Sequence, residues 1–266
     1  MGTPKKITLE QQLEKMRQDW DARARENARH YVDTSRTDWT DETFFASGEQ
    51  QVAEDILTDM GNICQGKDPR QMRVLEIGCG AGRLTRAFSN VFGEVHAVDI
   101  SGEMVAAARR ALAGRPGAHV YQNNGCDLRV VPKLPFDFVY SAIVFQHIPS
   151  REVIENYVRE VRRLLRPGAL FKFWVQGDTR TESSPEDTWL GVPFSDQDVV
   201  DMAERSGFEP RHRHGAGGQY FILWFFKYTW SEALRARMRV ALRTMKKRFG
   251  RLKASLIAKF RSTSRP

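Results

Sequence analysis

Gly78-Cys79-Gly80-Ala81-Gly82 places three glycines at alternate positions directly after the apolar run Val74-Leu75-Glu76-Ile77. Without Cβ atoms such a turn lets the backbone approach a ligand closely, and in an open α/β sheet it faces the crevice at the carboxyl ends of the strands. Arg83 stands where a dinucleotide fingerprint would place glycine or alanine, so a pyrophosphate is disfavoured. Glu76, two residues before the turn, suits an ammonium group better than phosphates. Cys64, Cys79 and Cys126 form no Cys-x-x-Cys site and no paired framework, which points to a reducing compartment, and Cys79 and Cys126 read as small apolar fillers rather than nucleophiles. Arg211-His212-Arg213-His214 alternate along a strand, and the two histidines lack a third ligand, so no metal is expected.

The elements that must position these residues follow from the changes of period. Leu9, Leu13, Met16 and Trp20 recur at helical spacing and predict an amphipathic helix to about Tyr31; Ser47 and Gln50 suggest a capping box for a second helix carrying Val52, Ile56 and Met60 and ending at Gly61. Strands are predicted at 74–77, 95–99, 119–121, 136–142 and 169–175, with helices at 83–88, 102–112 and 151–165 between them. That alternation indicates a doubly wound parallel sheet. A helix at about 195–206 then precedes two strands, 208–213 and 219–227, joined by a glycine-rich turn too short for a parallel crossover, so the last pair is antiparallel.

Val74 to Arg83 resembles the signature of the class I S-adenosylmethionine-dependent methyltransferases. The resemblance continues in family order through Val98-Asp99-Ile100-Ser101 with Met104, Gly125-Cys126-Asp127, Phe136 to Ser141 and Leu164 to Leu170. It implies an α/β Rossmann-like methyltransferase fold, seven-stranded and mostly parallel with an antiparallel last strand, over residues 66–230. A helical cap would occupy 1–65 and a basic amphipathic helix 231–266. It also implies S-adenosyl-L-methionine as cofactor. Gly78, Cys79, Gly80 and Gly82 would line its methionine half, with Glu76 toward its amino group or nearby backbone. Asp99 would accept both ribose hydroxyls, Ile100 and Met104 would cover the adenine, and Asp127 after Cys126 would accept from its amino group. Ser141 and Ala142 would sit near the methyl donor.

Methyl transfer from a sulfonium is a direct displacement, and a hydroxyl acceptor must also lose a proton. His147, just beyond the fourth strand, is the candidate base. Tyr140-Ser141-Ala142 lacks the Asn/Asp-Pro-Pro-Tyr/Phe block of adenine and glutamine amino-methyltransferases, no Pro-Cys offers a cytosine nucleophile, and no acidic cluster suggests magnesium. The chain is therefore similar to quinone-biosynthesis and trans-aconitate methyltransferases, which act on oxygen, nitrogen or carbon of small molecules. The acceptor pocket is expected from Tyr31, Trp39, Phe44 and Phe45, residues 178–194 and the loop at 212–218. The rival readings are a non-catalytic adaptor of the same fold and a nicotinamide-dependent oxidoreductase.

The 266 residues carry 41 basic and 33 acidic side chains, with 41% apolar residues, which excludes collagen-like, disulfide-stapled and wholly disordered classes. Residues 231–266 hold twelve Lys or Arg and the single acid Glu232, so the whole excess of positive charge belongs to them. Leu234, Met238, Leu242, Met245, Phe249, Leu252, Leu256 and Phe260 form one apolar stripe among these cations, the pattern of a helix lying in a membrane interface. An anionic membrane surface is the expected partner, nucleic acid or an acidic protein the less favoured one, and the acceptor is expected to be a small molecule, a lipid-linked group or a polysaccharide intermediate. No apolar run is long enough to span a bilayer and the amino-terminal residues carry no secretory pattern, so the expected location is cytoplasmic, peripheral on the inner face of the membrane.

Overall fold

The computed structural model describes residues 7–232. Helix α1 (Leu9–Val32) starts from a capping box between Thr8 and Gln11 and is interrupted at Asn27, whose backbone is extended. Helix α2 (Asp41–Asp55) starts from Thr40, which shares a capping box with Thr43. This corrects the expected start at Ser47 and Gln50: Ser47 lies inside the helix, and its hydroxyl donates back to the Phe44 carbonyl at 2.8 Å. Gly61 is not the stop either. The helix ends at Asp55, a 3-10 turn follows at Leu57–Asp59, and α3 (Met60–Cys64) ends where Gln65 turns left-handed at φ 51°.

The remaining elements are β1 (Arg73–Ile77), α4 (Arg83–Ser89), β2 (Glu94–Asp99), α5 (Gly102–Ala111), β3 (Ala118–Gln122), β4 (Phe136–Ser141), α6 (Arg151–Leu164), β5 (Leu165–Val175), α7 (Asp196–Ser206), β6 (Phe208–His214) and β7 (Phe221–Lys227). They form one seven-stranded sheet in the order β3-β2-β1-β4-β5-β7-β6. The strands from β1 to β5 pair in parallel, and β7 runs antiparallel to both β5 and β6, as its short connection requires. Strand β5 begins earlier than its apolar run because Leu165 pairs with Phe136 before a bulge. The strand order reverses between β1 and β4, so a crevice opens beyond their carboxyl ends.

Alternate side chains of the sheet enter two layers. Leu75, Ile77, Phe171 and Phe173 pack with Val153, Ile154 and Val158 of α6 and with Met202 of α7. Val74, Phe138, Tyr140 and Leu170 pack with Val52, Leu84 and Phe88 on the opposite face. At the amino end of the sheet, buried Asp137 accepts from Lys67 Nζ at 2.8 Å, the Arg73 amide at 3.0 Å and Arg166 Nε at 2.8 Å, which ties the starts of β1, β4 and β5 together. Burial alone would raise the Asp137 carboxyl; the three donors outweigh it and hold the group below the usual aspartate range.

Residues up to Lys227 form one compact unit and those from Tyr228 a second. In the second, Thr229 and Glu232 exchange capping bonds at the start of a helical turn at Trp230. The rest of the amphipathic helix expected over 231–266 lies outside the described residues.

Asp137→Asn removes the charge that Lys67 and Arg166 share and lowers unfolding stability at pH 7 by about 2 kcal/mol, the scale of charged hydrogen bonds. A depressed folded pKa means that this contribution is lost as pH falls through it, so in urea titrations the gap between wild type and variant closes below about pH 4. A gap that persists unchanged in acid contradicts the ionic account.

Candidate active site

The turn after β1 is closed by its neighbours. Gly78 and Gly80 have φ of 75° and 50°, and a Cβ would stand 2.3 Å from Val144 Cγ2 at the first and 2.4 Å from Val32 Cγ2 at the second. Side chains are excluded there by conformation and by space together. The amides of Gly78 and Cys79 donate to the Val98 carbonyl at 2.8 and 3.0 Å, fastening the turn to β2.

Asp99 stands at the tip of β2 and completes this attachment. Its Oδ2 accepts the Gly80 amide at 2.8 Å and its Oδ1 the Ser101 amide at 2.9 Å. Each oxygen retains capacity for one further donor. Burial pushes the Asp99 carboxyl up to about 6, against the downward pull of those amides. Glu76 is buried below the turn and accepts from Thr85 Oγ1 at 2.5 Å; burial raises its carboxyl to about 7.

A cavity of about 600 Å³ opens above these groups, within the range of small-molecule sites. Of the residues expected from the sequence, Glu76, Gly78, Cys79 and Gly80 line it at the glycine turn. Asp99, Ile100 and Met104 line it at the tip of β2 and the start of α5, and Ala142 and His147 beyond β4. Gly82, Cys126, Asp127 and Ser141 are not among its lining residues. Asp127 accepts from Asn124 Nδ2 and the Arg129 amide at 3.0 Å each, while Ser141 Oγ donates to the Ile77 carbonyl at 2.9 Å and joins β4 to β1. Asn123 and Gly125 reach the cavity from the same loop as Asp127. Burial raises the Cys79 thiol well above its ordinary value, in keeping with a filler rather than a nucleophile.

The opposite wall is aromatic. Trp20 and Tyr31 of α1 meet Trp189, each with ring centroids 6.2 Å from it, and His147 packs 5.4 Å from Trp20 and 5.0 Å from Trp189. His147 Nδ1 lies 2.6 Å from the Trp189 carbonyl; since that oxygen can only accept, Nδ1 carries the proton and Nε2 is left as the acceptor. Burial pushes the imidazole down to about 4, so it is neutral at pH 7. Buried Gln146 also lines the cavity, and its Oε1 has no partner within the protein. Trp39, Phe44 and Phe45 pack with Ala81 and Met104 in a separate cluster and do not line the cavity, which corrects their expected place in the acceptor pocket. None of Arg211 to His214 lines it, and Arg213 pairs instead with Asp196 at 2.6 Å.

Other lining groups carry no signal in the sequence pattern. Arg83, which the pattern marks only as a departure from a dinucleotide fingerprint, is buried at the cavity, with Nη2 donating to Gln51 Oε1 at 2.6 Å and Nε without a partner. Ile143 adopts φ 55°, a conformation rare for a β-branched residue, where the chain leaves β4 for the cavity. The apolar stripe of α1 accounts for Trp20 as a packing residue, but its place beside His147 depends on tertiary contacts. Among these contacts, Ser101 Oγ donates to buried Asp21 Oδ1 at 2.6 Å, and Gln12 Nε2 to the Pro185 carbonyl at 2.9 Å.

Residues 74–168 match a protein family described as a methyltransferase domain. A malonyl-[acyl-carrier protein] O-methyltransferase of Enterobacter lignolyticus is 36% identical over 106 residues, covering 39% of this chain and 39% of that protein. A ubiquinone biosynthesis O-methyltransferase of Xanthomonas oryzae pv. oryzae is 31% identical over 97 residues, covering 36% of this chain and 39% of that protein. The match thus spans well under half the length of either relative. The solved structure of magnesium protoporphyrin IX methyltransferase from Synechocystis PCC 6803 with bound S-adenosylmethionine shares the fold, with a TM-score of 0.59 at 15% identity over 85% of this chain and 100% of that one. The family match begins in β1, runs through the glycine turn and the tip of β2, and ends just inside β5, and over that span the chain is similar to S-adenosylmethionine-dependent methyltransferases.

Proposed function

We propose that this chain transfers a methyl group from S-adenosylmethionine to an oxygen of a small, uncharged, hydroxyl-bearing acceptor. The observation that carries the reading is the Asp99 carboxylate, held at the cavity by two backbone amides with capacity left on both oxygens. The residues fit the cofactor: Asp99 meets a pair of hydroxyls, Ile100 and Met104 offer apolar cover, and the glycine turn admits a chain pressed close to backbone. Arg83 Nε, buried and unpartnered, fits the cofactor's carboxylate, and Glu76 its ammonium group. When bound, the cofactor supplies an electrophilic methyl on a sulfonium.

The remaining residues act on the acceptor. Trp20, Tyr31 and Trp189 exclude water and offer flat apolar surface. Gln146 Oε1 and His147 Nε2 are acceptors suited to a hydroxyl. With its pKa at about 4, His147 orients that hydroxyl and takes its proton only as the oxygen becomes acidic during bond formation. Among the described residues Arg83 is the sole Lys or Arg lining the cavity, and it is engaged with Gln51, which favours a neutral acceptor over an anionic one. The O-methyltransferase relatives support oxygen as the atom methylated.

The charge of residues 231–266 supports a second element of the proposal, that the enzyme works at an anionic membrane surface on an acceptor located there. No helix among the described residues is long and apolar enough to cross a membrane.

Calorimetry with S-adenosylhomocysteine should show Asp99→Asn weakening binding about 30-fold, equivalent to about 2 kcal/mol for charged hydrogen bonds; unchanged affinity removes the ribose assignment. Sedimentation with anionic vesicles should recover the full chain and leave a protein ending at Trp230 in solution, whereas equal recovery of both excludes the membrane role.

A further inference from the structure

We propose that Glu94, His96 and His119 form a binding site for a divalent transition-metal ion of the zinc type, on β2 and β3 at the end of the sheet away from the cavity. Glu94 and His96 are two residues apart on β2 and so share a face, and β3 sets His119 directly opposite His96. Glu94 Oε1 lies 2.9 Å from His96 Nε2 and 4.0 Å from His119 Nε2, and all three ligand atoms lie within 4.8 Å of one another. Tetrahedral zinc with arms of about 2.0–2.1 Å needs its donor atoms roughly 3.3 Å apart, so side-chain adjustments of about 1 Å assemble three ligands and leave a fourth position for water. Two imidazoles and one carboxylate are a zinc-type set; calcium and magnesium prefer oxygen alone.

The surroundings suit ligation. His96 is 2% exposed and its Nδ1 lies 3.1 Å from the Tyr121 hydroxyl, while the side chains of His119 and Glu94, at 41% and 31%, leave an approach from solvent. Without metal, the His96 Nε2–H donates to Glu94 and Tyr121 donates to Nδ1. With metal, the proton resides on Nδ1 and donates to the Tyr121 oxygen, freeing Nε2 for the ion. A hydroxyl can serve in either role, so the change of tautomer leaves no group unpaired. Arg73 engages Glu94 through Oε2, at 2.6 Å from Nη2, and leaves Oε1 to the histidines. Glu94 and Asp99 are five residues apart along β2, roughly 17 Å, so the ion would brace the edge strand β3 rather than join the methyl-transfer site.

The test is titration of the full chain with cobalt(II), followed by visible absorption, and with zinc(II), followed by thermal stability. One equivalent of cobalt should give the intense spectrum of a low-coordinate site, and zinc should raise the melting temperature where magnesium does not. His119→Ala should abolish both responses, Tyr121→Phe should weaken cobalt binding about 10-fold, and a His212→Ala/His214→Ala double variant should retain it. S-Adenosylhomocysteine affinity, measured on each variant, reports folding and separates this outcome from that of the methyltransferase proposal. Equal cobalt binding by wild type and His119→Ala, or its loss only in the His212/His214 double variant, overturns the site and leaves Glu94 and His96 as a structural hydrogen-bonded pair.

Discussion

The bonds from Asp99 to the amides of Gly80 and Ser101 hold the cavity floor in register. They join three pieces of chain that are otherwise independent: the glycine turn after β1, the tip of β2 and the start of α5. Three left-handed glycines, Gly78, Gly80 and Gly82, can adopt many conformations, and the Asp99 carboxylate selects the one in which the Gly80 amide faces it. This arrangement holds a carboxylate where burial disfavours its charge, and buried Glu76 adds a second such acid beneath it. A raised folded pKa destabilises the fold as pH rises through it, so the unliganded site is held at some expense of stability. Ligand hydroxyls and an ammonium group would relieve that cost, which is the usual signature of a site shaped for its ligand.

The cap is the other half of this arrangement. Helix α1 reaches the sheet domain through Asp21, which accepts from Ser101 at the start of α5, and through Gln12, which donates to the Pro185 carbonyl. Arg23 lies over the rings of Trp20 and Trp189, 4.7 and 5.2 Å from their centroids, and Thr188 Oγ1 donates to Asp19 at 2.7 Å. These polar links place the aromatic wall above the glycine turn, with His147 packed against it. The proposed reaction between a sulfonium and a hydroxyl needs this exclusion of bulk water more than it needs a strong base. The depressed His147 imidazole is consistent with that balance.

Much of the fold is legible in the sequence because local rules and global packing agree there. Seven strands, their order of appearance and the antiparallel final pair follow from apolar period and connection length, and β1, the glycine turn and Asp99 are readable as one unit. The start of α2 is ambiguous, because Thr40 and Ser47 both carry cap-forming side chains and only the fold shows that Thr40 is the cap. Arg83, Gln146 and Ile143 have nothing in their local pattern to set them apart as cavity residues; the packing of α2 and of the segment after β4 puts them there. His119 is equally silent, since only the pairing of β3 with β2 brings it opposite His96. Asp127 illustrates the reverse case, a motif residue that is not among the cavity-lining residues and whose carboxylate accepts from Asn124 and the Arg129 amide of its own turn.

In the proposed function, ionised Asp99, with Glu76 beside the glycine turn, is the group on which binding of the sulfonium nucleoside depends. Its most direct test is the affinity of the wild-type chain for S-adenosylhomocysteine between pH 5 and pH 8, measured in buffers of different ionisation enthalpy. With Asp99 titrating at about 6 and Glu76 at about 7, affinity should be greatest at pH 8, fall about tenfold per pH unit between those two values and fall more steeply below them, with protons released on binding near pH 6. Affinity that stays level across this range, with no proton release, would contradict the account.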